Sequence, residues 1–299
     1  LGHRIRSLTR LHARPHLMPS FVDNHDVDRF LAGGSQAALK QALLAMFTLP
    51  GIPTLYYGTE QAFTEQRASM FAAGWGSGAR DHFDRSAPLY GAIAQMAALR
   101  REHRLFSRGL PELLRDNPGG PGVLAYVMKH GPQRALVAFN TAEHEVLLDG
   151  VALGAGVRLK GVFGLAGRPA DRRVGADGQL HLVLPARSGQ VWLLDGAGRA
   201  GAAAQPQGAP FTVDTLAQPS VGGDFAVSGM APGVRSLRLV VDGDLAQAQL
   251  ITPQADGRWQ ATVDTSRHID AAAEHRLVAV TTDALKGQLR ATPAQRFRV

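Results

Sequence analysis

The residues best suited to chemistry in this 299-residue chain lie in Phe21-Val22-Asp23-Asn24-His25-Asp26, where an amide, an imidazole and two carboxylates follow the apolar stretch Leu17 to Val22. A carboxylate accepts hydrogen bonds from two adjacent hydroxyls, and His and Asn add directional donors, so the set suits the holding of sugar hydroxyls. The same residue types cap helices and shape turns, and for Asp23, Asn24 and Asp26 both readings stand. A metal centre is not expected at this motif. His25 has no partner histidine at ligand spacing, since His12 and His16 lie on the other side of the apolar stretch.

The elements that must position these groups alternate in type. Leu17 to Val22 reads as a strand running into a polar rim. Ser35 is a plausible N-cap for a helix in which Ala38, Leu39, Ala42, Leu43, Ala45, Met46 and Leu49 recur at helical spacing, and Pro50-Gly51 stop it. Ile52-Pro53-Thr54-Leu55-Tyr56-Tyr57 reads as a second, buried strand closed by Gly58 and ending on Thr59 and Glu60. A Gly-rich loop to about Ser86 carries Arg67, Arg80 and Trp75, of which Trp75 is the candidate for an exposed contact. A second helix runs from Leu89 to about His103, with Ile93, Met96, Ala97 and Leu99 on one face. The basic cluster at its end, Arg100, Arg101, His103 and Arg104, is expected to be solvated and to complement the helix dipole. Strand, helix, strand, helix implies a parallel sheet with helical crossovers.

From about Gly109 the texture changes to short alternating strands between Gly, Pro and Asp: Val123 to Lys129, Ala135 to Asn140, Glu145 to Leu148, Arg158 to Phe163, Leu180 to Leu184 and Gln190 to Leu194. This predicts an antiparallel β domain over 105–196. The Ala-, Gly- and Gln-rich stretch 197–210 reads as a linker. Residues 211–299 repeat the β texture in seven short strands, which suggests an immunoglobulin-like sandwich with Trp259 in its core. The expected fold class is therefore α/β plus all-β.

Composition narrows the partners. A formal net charge of +7 and a pI near 10.3 come mostly from arginines scattered singly among acids, so no nucleic-acid partner is expected. No apolar run is long enough to span a bilayer. Without cysteine there is no disulfide, Cys-based metal site or thiol nucleophile. The chain opens at Leu1 with no Met and no signal-peptide pattern, which reads as a break rather than a natural start.

Two segments carry a resemblance. Phe21 to Asp26 and, about 25 residues on, Gly51-Ile52-Pro53-Thr54-Leu55-Tyr56-Tyr57-Gly58-Thr59-Glu60 resemble the rim motifs on the seventh and eighth barrel strands of the α-amylase family, glycoside hydrolase family 13. The resemblance implies that residues 1–104 are the C-terminal part of a (β/α)8 TIM barrel and that 105–196 are the β-sandwich that follows it in that family. It implies a glycoside hydrolase acting on α-glucan or malto-oligosaccharide by a retaining mechanism. Asp26 would be the transition-state stabiliser, with His25, Asn24, Tyr57 and Glu60 as substrate-binding candidates. The family's nucleophile and general acid come from the fourth and fifth barrel strands and have no counterpart here, so this chain alone is expected to be inactive. No cofactor is expected in these residues; a structural calcium would belong to the upstream part of the parent. The expected location is extracellular or periplasmic. A non-catalytic glycan-binding or spacer β-domain protein is the alternative. A barrel cut to two units is also expected to leave helix faces uncovered.

Overall fold

The computed structural model describes residues 2–117, 119–196, 210–218, 220–268, 270, 272–282 and 289–299. The expected linker 197–210 lies outside the described residues except for Pro210. No helix is long and apolar enough to cross a membrane among the described residues.

The first part holds α1 (Gly2–Leu11), β1 (Pro19–Ser20), α2 (Phe30–Gly33), α3 (Gln36–Thr48), β2 (Ile52–Pro53), α4 (Pro88–Glu102) and α5 (Leu105–Arg108). Strands β1 and β2 pair in parallel, Pro19 opposite Ile52 and Ser20 opposite Pro53, so the crossover through α3 is as expected. They are far shorter than the six-residue runs Leu17–Val22 and Ile52–Tyr57. Each carries a proline that cannot donate to a ladder, and each has one neighbour among the described residues. The side chains of Ile52 and Leu55, expected to be buried, are exposed, as is that of Phe21. The described residues form no closed barrel.

Ser35 caps α3 as anticipated, its Oγ accepting from the Ala38 N–H at 3.1 Å. The helix ends before Gly51, where φ is +128° and a Cβ would stand 2.9 Å from the Met18 carbonyl oxygen, so only glycine fits. Pro88 starts α4 at a position where a missing N–H costs nothing.

Contrary to expectation, the apolar faces of these helices are covered. Leu39, Leu43, Leu44 and Phe47 of α3 join Leu89, Ile93, Met96 and Leu99 of α4 in one core with Tyr126, Met128, Val137, Phe139 and Val191 of the β region that follows. Polar groups reinforce the joint. Gln41 Nε2 donates to the carbonyls of Asn140 (2.6 Å) and Ser188 (2.8 Å), and Thr48 shares a 2.6 Å hydrogen bond with the Tyr126 hydroxyl. Arg100 is likewise not the solvated cation that its place at a helix end suggested. It is half-buried and donates to the carbonyls of Phe47, Leu49 and Gly51 at the end of α3, and to that of Phe106. Those carbonyls lack partners within their own helix, and the guanidinium supplies them.

The middle part comprises β3 (Leu110–Arg115), β4 (Val123–His130), β5 (Gln133–Asn140), β6 (Val146–Ala152), β7 (Arg158–Gly164), β8 (Arg172–Arg173), β9 (Gln179–Leu184) and β10 (Gly189–Asp195). One sheet runs β3-β4-β5-β10-β7-β8 and a two-stranded sheet pairs β6 with β9, all antiparallel. The two faces of β4 serve different cores. Val123, Ala125 and Val127 face a second core with Leu148, Leu182 and Trp192, while Leu124, Tyr126 and Met128 face the helices.

The last part comprises β11 (Thr212–Val213), β12 (Phe225–Met230), β13 (Leu237–Val241), β14 (Gln249–Ile251), β15 (Arg258–Val263), β16 (His275–Thr282), β17 (Leu289–Ala291) and β18 (Gln295–Phe297). Sheet β11-β12-β15 and sheet β14-β13-β16-β17, with β18 on β16, enclose Trp259 with Val227, Leu239, Leu277 and Phe297. This part also adheres to the middle one. Leu147 packs with Val240, Val278 and Val280, its N–H donates to the Gly243 carbonyl at 2.7 Å, and Arg276 pairs with Asp149 at 2.6 Å.

Candidate functional site

The polar rim is built where the chain leaves β1. Asp23 is 4% exposed. Its Oδ2 accepts from the Phe30 N–H at 3.0 Å and its Oδ1 from the Thr59 hydroxyl at 3.4 Å, so it ties the loop after β1 to the segment after β2. Asn24 Oδ1 accepts from the Asp26 N–H at 2.8 Å, an Asx turn that fixes the backbone between them. Both residues therefore shape the loop, and the two residues they present outward are His25 and Asp26.

Those side chains are 65% and 68% exposed, with His25 Nε2 3.3 Å from Asp26 Oδ2. Arg67, from the loop after β2, joins them: its Nε donates to the His25 carbonyl at 3.0 Å and its guanidinium lies 3.9 Å from Asp26 Oδ1. The Asp26 carboxylate thus stands between an imidazole and a guanidinium. At this exposure such pairs orient side chains more than they stabilise the fold.

Behind the rim lies a feature the sequence reading missed. Arg29 is 2% exposed, its Nε donating to the Glu65 carbonyl at 3.2 Å. Its guanidinium carbon sits 3.9 Å from the Tyr56 ring centroid, 5.3 Å from that of Tyr57 and 5.7 Å from that of Phe63. Buried cation–π contacts of this kind are worth ~2 kcal/mol. Tyr57 meets Tyr56 edge-on at 4.5 Å, and His25 lies 6.4 Å from Tyr56, so the aromatic pair links the buried arginine to the exposed rim. Burial, then the Tyr57 hydrogen bond, pushes the Tyr56 hydroxyl above its ordinary pKa. Arginine next to an apolar residue carries no spacing signal that would have exposed this role.

Glu60 lies half-buried in the turn Thr59–Gln61 and is not part of the His25–Asp26–Arg67 contacts. That turn starts at Gly58, where φ is +82° and the Phe63 ring occupies the space a Cβ would need. Trp75 is 70% exposed, as anticipated, in a loop held by the Ser69 N–H to Trp75 carbonyl bond and by Asp81 Oδ1 accepting from the Ala72 N–H.

No model of a known protein family matches the chain. The α-amylase of Streptomyces lividans is 29% identical over 294 residues, which cover 88% of this chain and 30% of that protein. The cyclomaltodextrin glucanotransferase of Thermoanaerobacterium thermosulfurigenes is 36% identical over 128 residues, 41% of this chain and 16% of that protein. The homologues of this chain are α-amylase-family enzymes. The chain spans less than a third of the length of either relative. Among solved structures, the α-amylase of Geobacillus thermoleovorans complexed with acarbose is 25% identical with a TM-score of 0.53, over 65% of this chain and 42% of that one. The resemblance to the α-amylase family read from the two rim motifs is thus met by both sequence and structural relatives.

Proposed function

We propose that these residues form the C-terminal portion of an α-amylase-family glycoside hydrolase that cleaves α-glucosidic bonds of starch-like polymers or malto-oligosaccharides with retention. The observation that carries the reading is the Asp26 carboxylate, held outward by the Asn24 turn and flanked by His25 and Arg67. A carboxylate so placed accepts hydrogen bonds from two neighbouring sugar hydroxyls and favours positive charge developing on the ring, while His25 adds a donor. Tyr57, which is exposed and meets Tyr56 edge-on, and Glu60 on the turn that follows are the further sugar-contact candidates of the same proposal.

Retaining cleavage needs a nucleophile and an acid roughly 5 Å apart flanking the bond. Asp23 cannot be one of them, because both its oxygens are committed to Phe30 and Thr59. The cleaving pair belongs to residues outside this chain, and the 299 residues hold sugar without cutting it. In the same proposal, the structural calcium implied by the family resemblance belongs to the upstream part of the parent. An extracellular or periplasmic location belongs to the same proposal, since a starch-like polymer must be met outside the cell.

The test is Asp26→Asn in the complete gene product. Loss of a transition-state carboxylate predicts a fall in kcat of about 10²–10³-fold with little change in KM. Unchanged kcat on soluble starch would refute the assignment.

A further inference from the structure

We propose that His268 and His275, with Asp242 orienting His275 from behind, form a binding site for one divalent transition-metal ion of the zinc type in the last β region. One potential ligand atom from each residue lies within 4.8 Å of those of the other two. The three come from separate segments: the turn after β13, the loop after β15 and the first residue of β16.

Asp242 is fixed before any ion arrives. It is a non-glycine residue at φ +51°, and it is held there by its N–H donating to the Arg276 carbonyl at 2.8 Å and its Oδ1 accepting from the Arg276 N–H at 2.9 Å. Its Oδ2 lies 2.7 Å from His275 Nδ1. That contact places the His275 proton on Nδ1 and leaves the lone pair on Nε2, the carboxylate–histidine arrangement that orients a metal ligand.

A second, independent observation is that His275, 5% exposed, has no hydrogen-bond partner at Nε2 among the described residues. A buried polar atom without a partner is costly to leave unsatisfied and calls for an ion or water. The neighbour on hand is His268, whose ring centroid is 4.5 Å from that of His275. With metal–nitrogen bonds of about 2.0–2.1 Å, two imidazoles on one ion have centroids about 4.5–5.2 Å apart. His268 stands on a turn closed by its own N–H to the Thr265 carbonyl at 2.8 Å and is only partly buried, so its ring can rotate to complete the site.

The donor chemistry selects the ion. Two imidazole nitrogens as ligands, with the Asp242 carboxylate hydrogen-bonded behind His275, suit Zn²⁺, Co²⁺ or Ni²⁺ and do not suit Ca²⁺ or Mg²⁺, which prefer all-oxygen shells. Water would fill the remaining positions. Bound metal would pin the loop after β15 to the start of β16, a role independent of the sugar rim.

The experiment is titration of the 299-residue chain, stripped with chelator, with Co²⁺ followed by visible d–d absorption and with Zn²⁺ followed by calorimetry and Tm. The expected result is one ion per chain, a raised Tm reversed by chelator, and loss of both in His268→Ala. Asp242→Asn should weaken affinity by about 10–100-fold. His275 is buried and its replacement could unfold the region, so His268→Ala, checked for an unchanged metal-free Tm, is the deciding variant. Absence of stoichiometric binding, or binding that persists in His268→Ala, would overturn the proposal.

Discussion

Replacing Arg100 with methionine keeps the aliphatic stem and removes four hydrogen bonds, to Phe47 at 2.8 Å, Leu49 at 2.9 Å, Gly51 at 2.6 Å and Phe106 at 2.7 Å. Hydrogen bonds to a charged donor contribute about 1.5–3 kcal/mol each. The sum is not reached, because the half-buried guanidinium has already given up part of its hydration, which holds its pKa below the usual value, and freeing it returns that cost. Some of the released carbonyls also regain water. The net loss expected for Arg100→Met is ~2–4 kcal/mol. Arg100→Lys keeps the charge but concentrates it at one nitrogen with three donors, so it should lose about half as much. Urea unfolding followed by circular dichroism reads both values. The site should respond as well, because Gly51 leads directly into β2, whose bonds to Met18 and Ser20 place the rim. The imidazole resonance of His25 should therefore shift in Arg100→Met. A stability within about 0.5 kcal/mol of the parent would refute the claim that this guanidinium holds the end of α3.

Gly58→Ala should destabilise by about 1–3 kcal/mol, since alanine disfavours φ +82° and its Cβ would enter the Phe63 ring; thermal melts check this. His181 is pushed below its ordinary pKa by burial, and its Nδ1 accepts from the Gly150 N–H at 3.1 Å, which a protonated nitrogen cannot do. The unfolded chain therefore binds the extra proton first, and stability is lost as pH falls from about 6.5 through the lowered folded pKa. In His181→Gln, urea midpoints should fall less between pH 7 and pH 5 than in the parent. Trp75 is the exposed member of three tryptophans, with Trp192 and Trp259 at 2% and 3% exposure, so iodide quenching reports on Trp75. If its loop adjoins bound glucan, maltoheptaose should protect it; quenching unchanged at saturating sugar would exclude contact.

Most strands of the two β regions were legible because alternation is a local property, but β3 (Leu110–Arg115) and β17 (Leu289–Ala291) were not anticipated. In the last region eight strands stand among the described residues where seven were expected, and β4 to β10 match their expected bounds within a few residues, apart from β8 (Arg172–Arg173), which the sequence reading did not anticipate. Helices α3 and α4 were legible from spacing and from the Ser35 cap. Helix α1 was not, since its ten residues bury only Gly2 and Ile5 and present no broad apolar face. The strands of the rim were overestimated for a physical reason: apolar composition marks what could be buried, and burial of Phe21, Ile52 and Leu55 needs neighbours that these residues do not supply. At the site, His25 and Asp26 were readable as a motif. Arg29 between Tyr56, Tyr57 and Phe63, Arg100 across the end of α3, and the grouping of Asp242 with His268 and His275 all join residues by packing across long separations, which no local pattern encodes.

The central claim is that these residues carry a sugar-holding wall without the pair of carboxylates that cleaves. Its most direct test is reducing-sugar release from soluble starch by the purified 299-residue chain, with Asp26→Ala in parallel. No release from either protein is the predicted result. Release by the parent chain that disappears in Asp26→Ala would contradict the account.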